Sequence, residues 1–368
     1  MSYNNKKHVY QNQERSGAVI RKSNSNIRDV ASLAGVSPGS VSKVLNSSPD
    51  CRVSPEIRER IFDAARKLEY TPNINAKRLF SKRTGVVALV VPPPIAGAGS
   101  AFEDRHLCRI LGGIEEELFR EGYRLMFISN RRTIGDSREF LELHSSRYMD
   151  GLIVWGAEAD EAYWAEVAAR GIPLVFVSSI PENLEGKANF ISSDYRNAAR
   201  IITRKVLAAG HRKMVFLDGQ SAGFVRKEIK RGMEDAFDEF ELSSRDILSY
   251  RRKPFEGDFA LPFVREYMAS AERAGIIVTL NYSSAVAVRN ELANYGVYCP
   301  RDISLACFDS AKEERDGALV RCVPDDWQLG SRAVRALLSA VRKRDLPVVT
   351  ELLAAAVTGD RSIAECHS

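Results

Sequence analysis

No stretch of this 368-residue chain approaches the roughly 18 to 20 consecutive apolar residues that a membrane helix needs. Cysteine is scarce, and the six present (Cys51, Cys108, Cys299, Cys307, Cys322 and Cys366) form no Cys-x-x-Cys pair. They read as reduced packing thiols, which argues against a zinc or redox centre, and no metal or cofactor is expected. Gly-x-Ser-x-Gly, a Walker loop and His-Glu-x-x-His are all missing, so the common hydrolase, nucleotidase and metalloprotease chemistries have no support. Gly97-Ala98-Gly99 hints at a dinucleotide turn. However, Pro92 to Pro94 part it from the strand Val86-Val91, and Phe102 stands where a third glycine should close the fingerprint. The first 26 residues are polar and hold no apolar core of their own, so no secretory leader is read there. These absences together predict a cytoplasmic protein that is not an enzyme.

What is present is ordinary in amount and uneven in place. Hydrophobic residues make up 45% and charged residues 27%, values usual for a globular protein. The net charge of +5 hides an asymmetry. Met1 to Thr84 carry 16 Lys and Arg against 7 Asp and Glu, a net +9, which leaves the remainder at −4. A basic head on a mildly acidic body suits binding to a phosphate backbone at one end only.

The pattern divides the chain. Residues 1–26 read as a disordered basic tail. From Ile27 to Tyr70 the periodicity is helical, with breaks at Gly35-Val36-Ser37 and Ser47 to Asp50. Ser37-Pro38 and Ser54-Pro55 each place a capping serine before a proline, the signature of a helix start. Beyond Gly85 short apolar strands alternate with helices. Val86-Val91, Arg124-Ile128, Gly151-Val154, Pro173-Val177, Lys213-Leu217, Gly275-Thr279 and Ile303-Phe308 read as strands. Arg109-Arg120, Asn197-Ala209 and Ser284-Asn294 read as helices. That alternation predicts parallel sheets with helices on both faces, and this many strands fit two lobes with a cleft between them.

The most specific segment is Asn26 to Asn46, NIRDVASLAGVSPGSVSKVLN. One helix runs from Ile27 to Ala34 and a second from Pro38 to about Leu45. Val30, Ala34, Val36, Val41 and Leu45 form a small core, which leaves Ser40, Ser42, Lys43 and Asn46 outside. This is helix-turn-helix geometry, with the second helix suited to the DNA major groove. Val53-Ser54, Ile57-Arg58, Ile61, Ala64-Ala65, Leu68, Tyr70, Pro72-Asn73, Ala76 and Leu79 follow in order. From Asn26 to about Thr84, with one small insertion near Asp50 to Arg52, the chain closely resembles the headpiece of the LacI/GalR family of repressors. The resemblance implies that Ser37 and Asn46 touch phosphates and that Tyr70 and Asn73 anchor the DNA backbone. It implies that Ser42 and Lys43 face base edges, where Lys43 can donate to guanine O6 and N7. Pro38 and Gly39 occupy positions that commonly read bases but carry no polar side chain. The resemblance makes residues 73–84 a hinge helix, with Leu79 as a minor-groove wedge, Ala76 allowing close approach, and Lys77 and Arg78 adding charge.

Residues 85–357 resemble the family's regulatory domain, which is itself similar to periplasmic sugar-binding proteins. The echoes are Asp150 to Val154, Ser193-Asp194, Gly210 to Met214 and Pro300 to Leu305. The implied whole is a small all-α helix-turn-helix headpiece (27–72) followed by a two-lobed α/β periplasmic-binding-protein-like domain with parallel sheets. Residues 358–368 read as a C-terminal tail. Phe102, Trp155, Arg226 and Asp309 are the candidate effector-binding residues. Trp155 and Asp309 follow strands, whose C-terminal ends line clefts in such folds, though a cap or a packed aromatic explains them equally well. The position that often holds an arginine in the family is Ile229, and the usual Asn-Asp pair is Asn281-Tyr282. The expected function is a DNA-binding transcription regulator, a dimer on a palindromic operator, controlled by a sugar or derivative in the cleft. The alternative is the same regulator without small-molecule control, governed by a partner or by nothing.

Overall fold

The computed structural model describes residues 25–45, 52–71, 83–91, 101–128, 139–158, 161–218, 223–243, 247–251, 260–271, 273–280, 282–308, 319–343 and 346–365. The chain divides into two compact units, Met1–Lys82 and Arg83–Ser368. No helix among the described residues is long and apolar enough to cross a membrane.

Three helices enclose the core of the first unit. α1 (Ile27–Ala34) starts at Asn26, whose side-chain oxygen accepts the Arg28 amide at 2.8 Å, while Asp29 accepts the Asn26 amide at 2.8 Å. This reciprocal box satisfies donors that a helix start leaves open. Gly35 ends α1 at φ 63°, a left-handed geometry that favours glycine. α2 (Pro38–Leu45) and α3 (Pro55–Lys67) open behind serines. Ser37 Oγ accepts the Ser40 amide at 3.1 Å, and Ser54 Oγ accepts the Ile57 amide at 3.4 Å. Val30, Ala31, Ala34, Val41, Val44, Ile61, Ala64 and Ala65 are buried together. Two expected core residues, Val36 and Leu45, are only half-buried. Val44 takes the inner place because it lies three residues after Val41, on the same helix face.

The second unit has two lobes. β1 (Val86–Val90), α4 (Arg105–Arg120), β2 (Arg124–Ile128), α5 (Glu139–Ser145), β3 (Gly151–Trp155), α6 (Tyr163–Ala169), β4 (Leu174–Val177) and β5 (Asn189–Ser193) build the first. α7 (Tyr195–Ala208), β6 (Met214–Asp218), α8 (Phe224–Glu239), β7 (Ile247–Arg251), α9 (Ala260–Ala269), β8 (Ile276–Thr279), α10 (Tyr282–Asn294), β9 (Ser304–Cys307) and β10 (Val320–Val323) build the second. α11 (Asp326–Arg342) and β11 (Thr350–Leu353) return to the first lobe, and β12 (Ala356–Thr358) joins the second. The sheets run β11-β5-β4-β3-β1-β2 and β12-β10-β9-β8-β6-β7. The described pairings are parallel except β10 with β12. Val86, Ala88 and Val90 of β1 join the core on one face, and Val87 and Leu89 join the core on the other. A strand covered on both faces needs an unbroken apolar run, which is what made it legible.

Three crossings link the lobes: after β5 at Asp194, after β10 at Pro324-Asp325, and after β11 at Ala354-Ala355. Each leaves a sheet from the C-terminal end of a strand. The C-terminal edges of both sheets therefore border the cleft.

Five strands escaped the sequence reading: β5, β7, β10, β11 and β12. β5 mixes Asn and Ser with two apolar residues, and edge strand β11 alternates exposed with half-buried positions. The assignment of 358–368 to a tail is also corrected. Thr358 pairs with Arg321 in the antiparallel β10–β12 ladder, and Ser362 is buried. Its Oγ accepts the Val320 amide at 2.7 Å and donates to the Leu305 carbonyl at 2.6 Å. These residues are polar and lack periodicity, so what ties them down is backbone pairing with remote strands.

His211 completes this closure. Its Nε2 lies 3.0 Å from Ser304 Oγ and 3.1 Å from the Ala364 carbonyl oxygen. A carbonyl only accepts, so Nε2 carries the proton. Nδ1 is buried with no hydrogen-bond partner among the described residues, and burial pushes the imidazole pKa down. The unfolded chain therefore takes up the proton first, and stability that is full above about pH 6.5 declines on acidification. Urea titrations at about pH 7.5 and about pH 5.5 should show a loss that His211→Gln reduces. At neutral pH Ser362→Ala should destabilise the unit by about 1–3 kcal/mol, because it strands a buried amide and a buried carbonyl.

Candidate nucleic-acid interface and ligand cleft

α2 turns Val41 and Val44 inward, which fixes what its outer face presents. Pro38, Gly39 and Lys43 are exposed, and Ser40 and Ser42 are half-buried. The Ser37 and Ser40 hydroxyls lie 2.9 Å apart at the first turn, so Ser37 is already occupied in holding the helix start. Tyr70 lies just beyond α3, half-buried against the helical core, with its amide on the Ala65 carbonyl at 2.9 Å. Glu69 before it has φ 49°, a left-handed turn that ends α3. Asn46, Asn73, Ala76, Lys77, Arg78 and Leu79 lie outside the described residues, as do Asp309 of the cleft and Gly97-Ala98-Gly99.

In the second unit the cleft edge of the first lobe gathers a polar cluster. Trp155 ends β3, Ser178 follows β4 at φ 67°, His106 and Arg109 lie on the first turns of α4, and Asp326 opens α11. His106 Nδ1 donates to Asp326 Oδ1 at 2.8 Å, which leaves Nε2 to accept from Ser178 Oγ at 2.9 Å. The Trp155 ring lies 6.3 Å from the imidazole. Asp326 is fully buried. Its Oδ2 sits 3.5 Å from Arg109 Nε, and neither atom has a hydrogen-bond partner among the described residues.

Of the three expected effector residues that are described, Trp155 joins this cluster. Phe102 packs edge-on against Phe127 of edge strand β2, with centroids 5.4 Å apart, and Arg226 is half-buried on the first turn of α8 in the other lobe. The sequence reading missed His106, Arg109, Ser178 and Asp326. Ser178 had the same signal as Trp155, a polar residue directly after an apolar strand. Asp326 follows Pro324-Asp325, a helix-start pattern, and nothing local marks His106.

α4 and α11 hold the cluster in place by packing backbone to backbone. A Cβ added to Gly113 would lie 2.0 Å from the Trp327 carbonyl oxygen, and one added to Gly330 would lie 2.1 Å from that of Ile110. Beside this contact, buried Glu117 accepts from Arg335 at 2.8 and 3.0 Å and from Ser331 at 3.0 Å. The Arg335 guanidinium, outweighing the cost of burial, holds the Glu117 pKa down at about 2.

Comparison with known proteins matches this architecture at both ends. Residues 26–73 match the family described as "Bacterial regulatory proteins, lacI family". Residues 103–304 match "Periplasmic binding proteins and sugar binding domain of LacI family". Catabolite control protein A of Staphylococcus xylosus is 23% identical over 322 residues, 87% of this chain and 93% of that protein. The ribose operon repressor of Bacillus subtilis (strain 168) is 25% identical over 87% of this chain and 93% of its own. Among solved structures, the lac repressor dimer bound to operator and the anti-inducer ONPF superposes with TM-score 0.76 at 18% identity, covering 93% of this chain and 100% of that one. The transcriptional regulator CelR in its cellobiose complex superposes with TM-score 0.67 at 21% identity, covering 92% and 99%. At these identities the structural likeness is one of fold.

The close helix approach is testable. Gly330→Ala should force α4 and α11 apart at a cost of about 1–3 kcal/mol, read as a lower urea midpoint of the second unit. An unchanged midpoint would mean that the helices do not approach this closely in solution.

Proposed function

The chain belongs to the lacI family of bacterial regulatory proteins and is a DNA-binding transcriptional regulator; we propose that it is a cytoplasmic repressor that binds a palindromic operator as a homodimer under the control of a small molecule held in the cleft. The observation that carries the DNA half is α2, anchored by Val41 and Val44 and presenting Lys43 outward. In this reading Lys43 and Ser42 face base edges, with Lys43 donating to guanine. Exposed Pro38 and Gly39 make base reading thin at the start of the helix. Ser37, Asn46, Tyr70 and Asn73 hold the DNA backbone. Residues 73–84 form the hinge, where Ala76, Lys77 and Arg78 follow the minor groove and Leu79 wedges into a base step. Dimerisation suits a short recognition helix, because paired half-sites make a palindrome readable. Phe119 and Phe127 are exposed on α4 and on edge strand β2, apolar surface that a second copy would cover.

The effector reading rests on Arg109 Nε and Asp326 Oδ2. A ligand hydroxyl satisfies both, accepting from the guanidinium and donating to the carboxylate, beside the flat Trp155 ring. The ribose named for one relative and the cellobiose bound to one structural neighbour are of this hydroxyl-rich class. A second reading, regulation without a small molecule, is favoured by the pairing of His106 with both Asp326 and Ser178, which occupies much of the polar surface from within.

Two measurements test these readings. Anisotropy titrations on a duplex selected from a random pool should lose affinity steeply as salt rises, and Lys43→Ala should cost roughly 1–3 kcal/mol at one preferred base pair. A flat salt response removes the DNA reading, and a uniform loss on every sequence removes Lys43 as a base reader. A panel of pentoses, hexoses and disaccharides should raise the melting temperature of the parent, and Asp326→Ala should abolish the shift. No shift with any sugar favours the second reading.

A further inference from the structure

We propose that Arg60 is a positioning residue of the headpiece: reaching from α3, it closes the turn between α1 and α2 and so sets the angle at which α2 meets DNA. This rests on the reading of α2 as the DNA-reading helix. The last four carbonyls of α1, Ala31 to Ala34, have no partner within the helix. Gly35 donates its amide to Ser32 at 3.2 Å, and Val36 donates to Ala31 at 3.0 Å, which accounts for two of them. The Leu33 and Ala34 carbonyls remain, and the Arg60 guanidinium donates to that of Ala34 through Nη2. α1 has no basic residue in its own last turn, so the partial negative charge at its C-terminus is met by a cation from another helix. The guanidinium lies inside the turn itself, since a Cβ added at position 35 would come within 2.7 Å of Nη2. The φ of 63° is what calls for glycine at position 35, and a side chain there would also displace the Arg60 guanidinium. Among the described residues Arg60 has no carboxylate within ion-pair distance, so the Ala34 carbonyl is what directs it. The turn governs the orientation of α2 because only Gly35, Val36 and Ser37 separate the two helices.

The competing role for an exposed arginine in a basic headpiece is a phosphate contact, and salt distinguishes the two. A phosphate contact contributes about one unit to the slope of log affinity against log salt and acts on every sequence. A positioning residue leaves that slope unchanged and alters discrimination. Full-length parent, Arg60→Gln (a donor without charge) and Arg60→Leu (neither) are titrated on the selected duplex and on a scrambled duplex at several salt concentrations. Helical circular dichroism confirms folding at the assay temperature. We expect the affinity ratio between selected and scrambled duplex to fall in the order parent, Gln, Leu. The leucine variant should lose roughly three- to tenfold, the scale of one hydrogen bond, with the slope unchanged. A slope reduced by about one in both variants makes Arg60 a phosphate contact and overturns the proposal. Discrimination equal to the parent in both variants overturns it as well. If the leucine variant does not fold, the glutamine variant must by itself lose discrimination at constant slope, and equality with the parent counts against the proposal. A parent that selects no sequence and shows no salt dependence is a different result, which removes the DNA reading.

Discussion

The ligand half of the molecule depends on one contact, the backbone approach of α4 to α11 at Gly113 and Gly330. These helices are far apart in the chain: Glu117 and its partner Ser331 are 214 residues apart. α11 enters the first lobe only after the chain has built all of the second but β12, so its docking returns the chain and completes the second of the three crossings. The contact also brings the first turns of both helices to the cleft edge, where His106 and Asp326 meet. Glu117 follows from the same geometry. A carboxylate wedged between two closely packed helices must be paired, and Arg335 and Ser331 do this from the opposing helix.

The cleft cluster has an energetic consequence for control. His106 bridges α4, α11 and the end of β4 through two hydrogen bonds, so the proposed ligand beside Trp155 would exchange bonds within a connected network. Asp326 directly follows the lobe crossing at Pro324-Asp325, so a change in its partners bears on a segment that must move if the lobes reorient. Differential contact of this kind is what an effector needs in order to shift a conformational equilibrium.

How much of this was legible in the sequence depended on how local each signal was. The starts of α1, α2 and α3 are set by Asn26, Ser37 and Ser54 with their following residues, and they stand where the sequence placed them. Seven apolar runs marked seven strands, and in the central ones burial on both faces leaves no polar interruption, whereas edge strand β2 stays partly exposed. Val44 shows where a local reading falls short. On an eight-residue helix both Val44 and Leu45 lie near the inner face, and packing against Ile61 and Ala64 of α3 decides which is buried.

The amino-acid sequence by itself determined the headpiece helices, the strand-helix alternation and the two-lobed class, since caps, prolines and apolar periodicity act over a few neighbouring residues, and its resemblance over Asn26 to about Thr84 pointed to the family. Only the tertiary structure decided the rest. β5 and β11 are strands because they pair with each other, Phe190 opposite Thr350. Residues 358–365 belong to the second lobe because Ser362 and Ala364 bond to strands far back in the chain. His106 joined the polar cluster through Ser178, 72 residues away, and Asp326, 220 residues away. A hydrogen bond has no periodicity and leaves no composition, so a polar pair across that distance is invisible until the backbone brings its atoms within 3 Å.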